Sequence, residues 1–164
     1  MHWLADGTVV VDKVARWAGT KNFPLPFEPV LDQIKKILES YGINSVTGDQ
    51  YYCDAIGEHL LKSGIVYKVF NFGSQTRGKL SAQLKHLLVQ GKIEILDDVE
   101  LLRELRNLRE EKTPRRQIDV RRTTGNDDTA VALALAVNEA ITQESLLPLR
   151  RCPWISVPLR SRSA

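Results

Sequence analysis

The chain has 164 residues, 43% of them hydrophobic and 26% charged, with a formal net charge of +3 at pH 7. That composition fits one soluble globular domain with room for a tail. Cys53 and Cys152 are too few for a disulfide framework or a zinc site of their own, no basic-then-apolar leader follows Met1, and the longest apolar run, 130–137, is too short to cross a bilayer.

Ala5-Asp6-Gly7 is a turn signal, and residues 8–14 are rich in β-formers. A hairpin across that turn needs a partner strand before it. Only residues 1–4 are available, so the first strand of the fold is expected to be missing or clipped. Pro24, Pro26 and Pro29 put residues 19–29 in a loop, because proline lacks the amide hydrogen that regular structure uses.

Three helix–glycine–strand units follow. Val30, Ile34, Ile37, Leu38 and Tyr41 share one helical face, Gly42 closes that helix, and a strand over 43–47 follows. Residues 52–63 and 74–90 predict two more helices, closed by Gly64 and Gly91 and followed by strands over 65–72 and 92–96. Helices alternating with strands over short links predict a largely parallel sheet with flanking helices, an α/β fold.

Asp97-Asp98 opens a helix over 99–112, with Leu101, Leu102, Leu105 and Leu108 inward and arginines and glutamates outward as a solvated face. Residues 117–120 read as a strand flanked by Arg115, Arg116, Arg121 and Arg122, whose charges suit sequence-independent contact with a phosphate backbone. A helix over 127–142 is apolar on all faces between 130 and 137, so it is expected to be buried. Residues 144–164, with three prolines and no periodicity, read as a loosely held tail after a domain spanning 1–143.

The strand over 43–47 ends in Gly48-Asp49. A carboxylate at the carboxyl end of a buried strand sits where ligands bind in open α/β sheets, although Asp is also a favoured N-cap, and position alone leaves these readings even. Downstream, Asp127 and Asp128 open the most apolar helix of the chain. Their bland role is capping and complementing the helix dipole, with Thr124 and Asp127 as a capping box. Two acidic sites on one fold point instead to divalent-metal chemistry, since Mg²⁺ and Mn²⁺ prefer carboxylate oxygen and a two-ion site draws several carboxylates together. His2, His59 and His86 have no ligand spacing with one another or with the cysteines.

The ordered series resembles a known family. A strand ending in Gly48-Asp49, Thr76-Arg77-Gly78-Lys79 opening a helix, KIEILDD, VELLRELRNL, and Asn126-Asp127-Asp128 before an apolar helix are together similar to the C-terminal nuclease domain of the phage terminase large subunit. The resemblance covers residues 6–141. It implies a ribonuclease H-like mixed sheet with flanking helices, N-terminally truncated here, and a metal-dependent endonuclease that cuts concatemeric double-stranded DNA with two Mg²⁺ or Mn²⁺ ions.

By the resemblance Asp49 matches the second catalytic carboxylate, the Asp127-Asp128 pair matches the third, and Lys79 matches a lysine near the DNA or the site. The family's first aspartate lies on a strand before the Asp6-Gly7 turn, which this chain lacks; Asp12 is a weak substitute. No phosphate-binding loop of an ATPase motor occurs. The expectation is therefore an isolated or prophage-remnant nuclease domain, cutting weakly by itself, in the host cytoplasm. Its partners would be DNA and the terminase small subunit, portal or motor domain, with no membrane. The alternatives are a non-catalytic remnant that binds DNA or packaging proteins, and another ribonuclease H-like nuclease such as a junction resolvase.

Overall fold

The computed structural model describes residues 1–112, 118–122 and 126–146. In chain order it contains β1 (His2–Trp3), β2 (Val9–Val10), α1 (Phe27–Ser40), β3 (Ser45–Gly48), α2 (Cys53–Leu61), β4 (Val66–Val69), α3 (Ser74–Val89), β5 (Ile93–Glu94), α4 (Val99–Asn107), β6 (Leu108–Lys112), β7 (Ile118–Arg122) and α5 (Asp128–Leu146). The described strands form three small sheets, ordered β1-β2-β5, β3-β4 and β6-β7. β2 runs antiparallel to β1 and parallel to β5, and β3 runs parallel to β4. This is the mixed, ribonuclease H-like α/β arrangement expected, including the parallel pairing of the strands around 45 and 66.

Gly42, Gly64 and Gly91 follow α1, α2 and α3 at φ of 65°, 74° and 63°. Each lets the chain leave its helix through the left-handed region and enter a strand within a few residues. α1 starts earlier than expected, at Phe27, because a proline at position 29 still lies in the first turn, where no helical amide partner is lost.

The N-terminal hairpin is as short as expected. The partner strand expected to be missing or clipped consists of the two residues of β1, in register with β2, and the Leu4 N–H donates to the Thr8 carbonyl at 2.8 Å across the turn. A tight turn sets the register, so two residues are enough to define the pairing.

A correction concerns residues 108–112. They were expected to continue the leucine helix, but α4 stops at Asn107 and β6 pairs antiparallel with β7. Leu-Arg-Glu-Glu-Lys is a helix-favouring string, so cross-strand pairing has outweighed propensity.

The larger core cluster gathers Val9, Val11, Leu80, Leu84, Ile93, Leu101 and, from α5, Leu133, Leu135 and Val137. A smaller one holds Leu38, Leu60 and Ile65 between α1, α2 and the β3-β4 pair. α5 packs on α3 and α4 and also reaches β3, so it spans both units. It is not buried on every face: Ala132 and Ala136 are exposed. Arg115, Arg116 and residues 147–164 of the expected tail lie outside the described residues.

Candidate metal and nucleic-acid site

The site is assembled at the carboxyl end of β3. Gly48 has no side chain, which leaves room for the Tyr67 ring from β4; a Cβ there would fall 2.7 Å from Tyr67 Cζ. Tyr67 Oη uses that space to donate to the Asp49 carbonyl at 2.9 Å. Burial, and then the nearby Asp49 charge, push the Tyr67 phenol above its ordinary pKa, so it stays a neutral donor. The Asp49 carboxylate accepts from the Tyr51 N–H at 3.0 Å, an Asx-type turn. Tyr52 then takes φ of 53°, and α2 begins only at Cys53. Asp49 therefore does not cap α2.

The start of α5 is held from two sides. Asp127 is buried, 8% exposed, and its Oδ2 accepts from Arg77 Nη2 at 3.0 Å. Arg77 comes from the first turns of α3. Glu104 of α4, 4% exposed, accepts from the Ala130 N–H at 2.9 Å and from Thr129 Oγ1 at 3.3 Å. A carboxylate from another helix thus satisfies one of α5's first-turn backbone donors, a task ordinarily given to a local cap. Asp128, one residue on, is exposed.

A cleft of about 1220 Å³ opens beside these elements, and Asp49, Asp128 and Arg77 all line it. Glu139 lines it too, with its Oε2 3.8 Å from Lys68 Nζ. The fold therefore brings Asp49 and Asp128 to one cavity, while Asp127 turns toward Arg77. Lys79 is exposed on α3 and is not part of the cleft wall. Asp12 is engaged elsewhere: the Met1 amino group lies 2.6 Å and His2 Nδ1 2.8 Å from it, and the hydrogen bond from that amino group holds its pKa below the usual carboxylate value. Arg121 and Arg122 lie on β7, but their side chains, like Arg115 and Arg116, are outside the described residues. Among the described residues no group of three or more His, Cys, Asp or Glu is arranged to hold a metal ion.

Arg77, Glu104 and Tyr67 were not singled out from the sequence as site residues. Arg77 belongs to the same short run as Lys79, so its signal was present. Glu104 falls within the stripe of Leu101, Leu105 and Leu108, an acid on a helix's apolar face, which is a recognisable anomaly.

No protein-family model matches the chain, and no curated protein matches it. Solved structures do. The large terminase nuclease of thermophilic phage G20c shares 29% identity with a TM-score of 0.61, over 71% of this chain and 64% of that one. The same nuclease solved with bound magnesium is 31% identical, with a TM-score of 0.57, over 67% of this chain and 60% of that one. This chain has the fold of a large terminase nuclease domain. The phage G20c nuclease has also been solved with bound cobalt. The HK97 bacteriophage large terminase, at 19% identity and a TM-score of 0.61, shares the terminase nuclease fold over 71% of this chain and 25% of that one. The chain spans less than two thirds of the solved terminase nucleases it matches first.

Proposed function

We propose that this terminase-type nuclease domain binds a divalent cation through Asp49 and Asp128 and acts as an endonuclease on double-stranded DNA. The supporting observation is that these two carboxylates, far apart in sequence, line one cleft together with Arg77. The donor set suits Mg²⁺ or Mn²⁺, hard ions that commonly take one or two protein carboxylates and fill the remaining positions with water and phosphate oxygen. Related nucleases crystallised with magnesium and with cobalt are consistent with that choice.

When bound, the ion would polarise a phosphodiester and make water a better nucleophile. The chain's own residues do the rest. Asp49 and Asp128 hold the cation, and Arg77 offers positive charge to a phosphate backbone at the cleft wall. Asp127 is a positioning residue, fixing the Arg77 guanidinium and the start of α5. Lys79 and the arginines at 115, 116, 121 and 122 would add backbone grip away from the reacting centre.

The test is plasmid nicking in Mg²⁺ and in Mn²⁺ by the chain, Asp49→Ala and Asp128→Ala, with Mn²⁺ binding measured alongside. Weak cutting that disappears in both variants, with loss of Mn²⁺ affinity, is expected. Cutting that persists in both would overturn the assignment. One observation favours a second reading, a non-catalytic domain that binds DNA or packaging proteins: among the described residues no third acid joins Asp49 and Asp128 closely enough to hold an ion. Retardation of DNA in a gel with no nicking under either ion would select it.

A further inference from the structure

Asp49 begins a turn that the fold holds from several sides. Its carbonyl accepts from Tyr67 Oη and its carboxylate from the Tyr51 N–H. Gln50 Oε1 accepts from the Phe72 N–H at 3.3 Å. Tyr52 rests on Phe27 of α1, with ring centroids 6.2 Å apart. Among the described residues Tyr52 is also the only one other than glycine with a positive φ. Glycine or asparagine would take that conformation at less cost, and strain of this kind gathers at functional sites. What these contacts hold in place is Tyr51. Its side chain is 67% exposed and makes no ring contact or hydrogen bond among the described residues, yet it lines the cleft with Asp49, Asp128 and Arg77.

We propose that Tyr51 is a stacking platform for one unpaired nucleobase of a DNA strand entering the cleft, so that the site prefers locally single-stranded DNA to continuous duplex. The inference rests on the reading that Asp49 and Arg77 face a DNA backbone. An aromatic ring stacks on any base, since every base has a π-face. Inside a duplex both faces of a base are already covered by its neighbours. A duplex therefore reaches Tyr51 only where it is nicked, frayed or opened. The occupant follows from reach and charge. Tyr51 is two residues from Asp49, a span of at most about 7 Å, and its N–H is bonded to the Asp49 carboxylate. The Arg77 guanidinium, 40% exposed, puts positive charge on the same cleft wall. A phosphate held between them brings its own base, or the next one, within range of the ring. Backbone charge and an aromatic face then act together, which is how single strands are bound without regard to sequence. An apolar protein segment would meet the ring but would have to desolvate the charges beside it.

The probe is a short DNA strand carrying 2-aminopurine, a base whose fluorescence falls on stacking, titrated into the full chain in Ca²⁺ as a single strand and as a complete duplex. Tighter binding of the single strand, with quenching, is expected. Tyr51→Phe keeps the ring and should keep both effects. Tyr51→Ala should lower single-strand affinity roughly tenfold, more than it lowers duplex affinity, and should remove the quenching, because one base–aromatic stack is lost. Circular dichroism should match the parent, since the ring is exposed. Equal affinity of the parent for both forms overturns the proposal without recourse to a variant. So does undiminished quenching in Tyr51→Ala, which puts the base elsewhere, and so does a loss in Tyr51→Phe as large as the alanine's, which assigns the contact to the hydroxyl. Binding of both forms without quenching overturns it too, and leaves the ring to a protein partner. Plasmid nicking by the parent and by Asp49→Ala tests the endonuclease reading separately. Nicking without quenching sinks the stacking alone, and quenching without nicking sinks the endonuclease assignment alone.

Discussion

Arg77 and Asp127, separated by 50 residues of sequence, meet in a 3.0 Å ion pair that ties the start of α3 to the start of α5. The pair is unequal: Asp127's side chain is 11% exposed and Arg77's is 40%. The carboxylate has given up most of its water, so removing Arg77 takes one partner from a poorly solvated charge, whereas solvent screens the guanidinium. Arg77→Ala should therefore destabilise the domain by about 1–2 kcal/mol, less than a fully buried pair would give. Arg77→Lys should recover only part, since a single ammonium replaces the guanidinium fork. Urea unfolding midpoints for the two variants check both statements, and an Arg77→Ala protein as stable as the parent would show the pair to be energetically idle.

The Gly48–Tyr67 contact makes a separate prediction. A methyl group at position 48 would collide with a phenol ring that is already committed to the Asp49 carbonyl. Gly48→Ala should cost roughly 1–3 kcal/mol, as overpacking does in close-packed regions. Tyr67→Phe, which removes only the hydroxyl, should cost about 1 kcal/mol, the usual net worth of one such bond. Combining Gly48→Ala with Tyr67→Ala should be less harmful than the sum of the singles, because the second change vacates the space that the first one needs. Additive losses in that cycle would mean that Gly48 is required for some other reason.

Much of this was legible in the chain, and the exceptions have physical causes. Glycines after amphipathic helices located α1 to α3 and predicted the parallel pairing of β3 with β4, since both signals are local. Asp49 and Asp128 could be named because acids at element ends are conspicuous in sequence. Which member of the Asp127-Asp128 pair faces the cleft was not legible, because that depends on the approach of Arg77 from a distant helix. The strand β6 was hidden for a similar reason: its partner β7 decides its conformation against its own helix propensity. The open stripe of α5 was hidden most thoroughly, because an alanine facing a cleft and an alanine facing a core read alike.

Glu104, the acid on the leucine face of α4, should matter most for stability. Its carboxylate takes the Ala130 N–H and the Thr129 hydroxyl in a buried setting. Glu104→Ala would leave both donors without that partner and open a small void, at about 2–4 kcal/mol. Glu104→Gln keeps one acceptor oxygen and should cost less. Thermal unfolding of the two variants gives the order, and hydrogen exchange should show the first turn of α5 fraying in the alanine protein. If Glu104→Gln is instead the worse of the two, the amide's own donors are clashing with those of α5, and the capping account needs revision.

Asp98 links stability to pH with a definite sign. It caps α4 by accepting from the Leu101 N–H at 2.8 Å, and Arg16 Nη2 reaches both of its oxygens, at 2.6 and 2.8 Å. The Leu101 amide first, and the Arg16 guanidinium next, hold its pKa below the ordinary 3.8. The folded state therefore binds a proton at Asp98 less readily than the unfolded chain does. Its contribution is fully present above about pH 3.8 and is lost as the pH falls through the lower folded value. Asp98→Asn isolates this effect, because Asn still caps a helix but neither titrates nor pairs with Arg16. The variant should be less stable than the parent near neutral pH. The gap should then narrow as the pH falls below that value, because the parent's carboxylate becomes protonated. Paired unfolding curves collected across the acid range test this directly. A gap that stays constant through the titration would assign the loss to hydrogen-bond geometry, and Arg16 would then be a bystander at the surface.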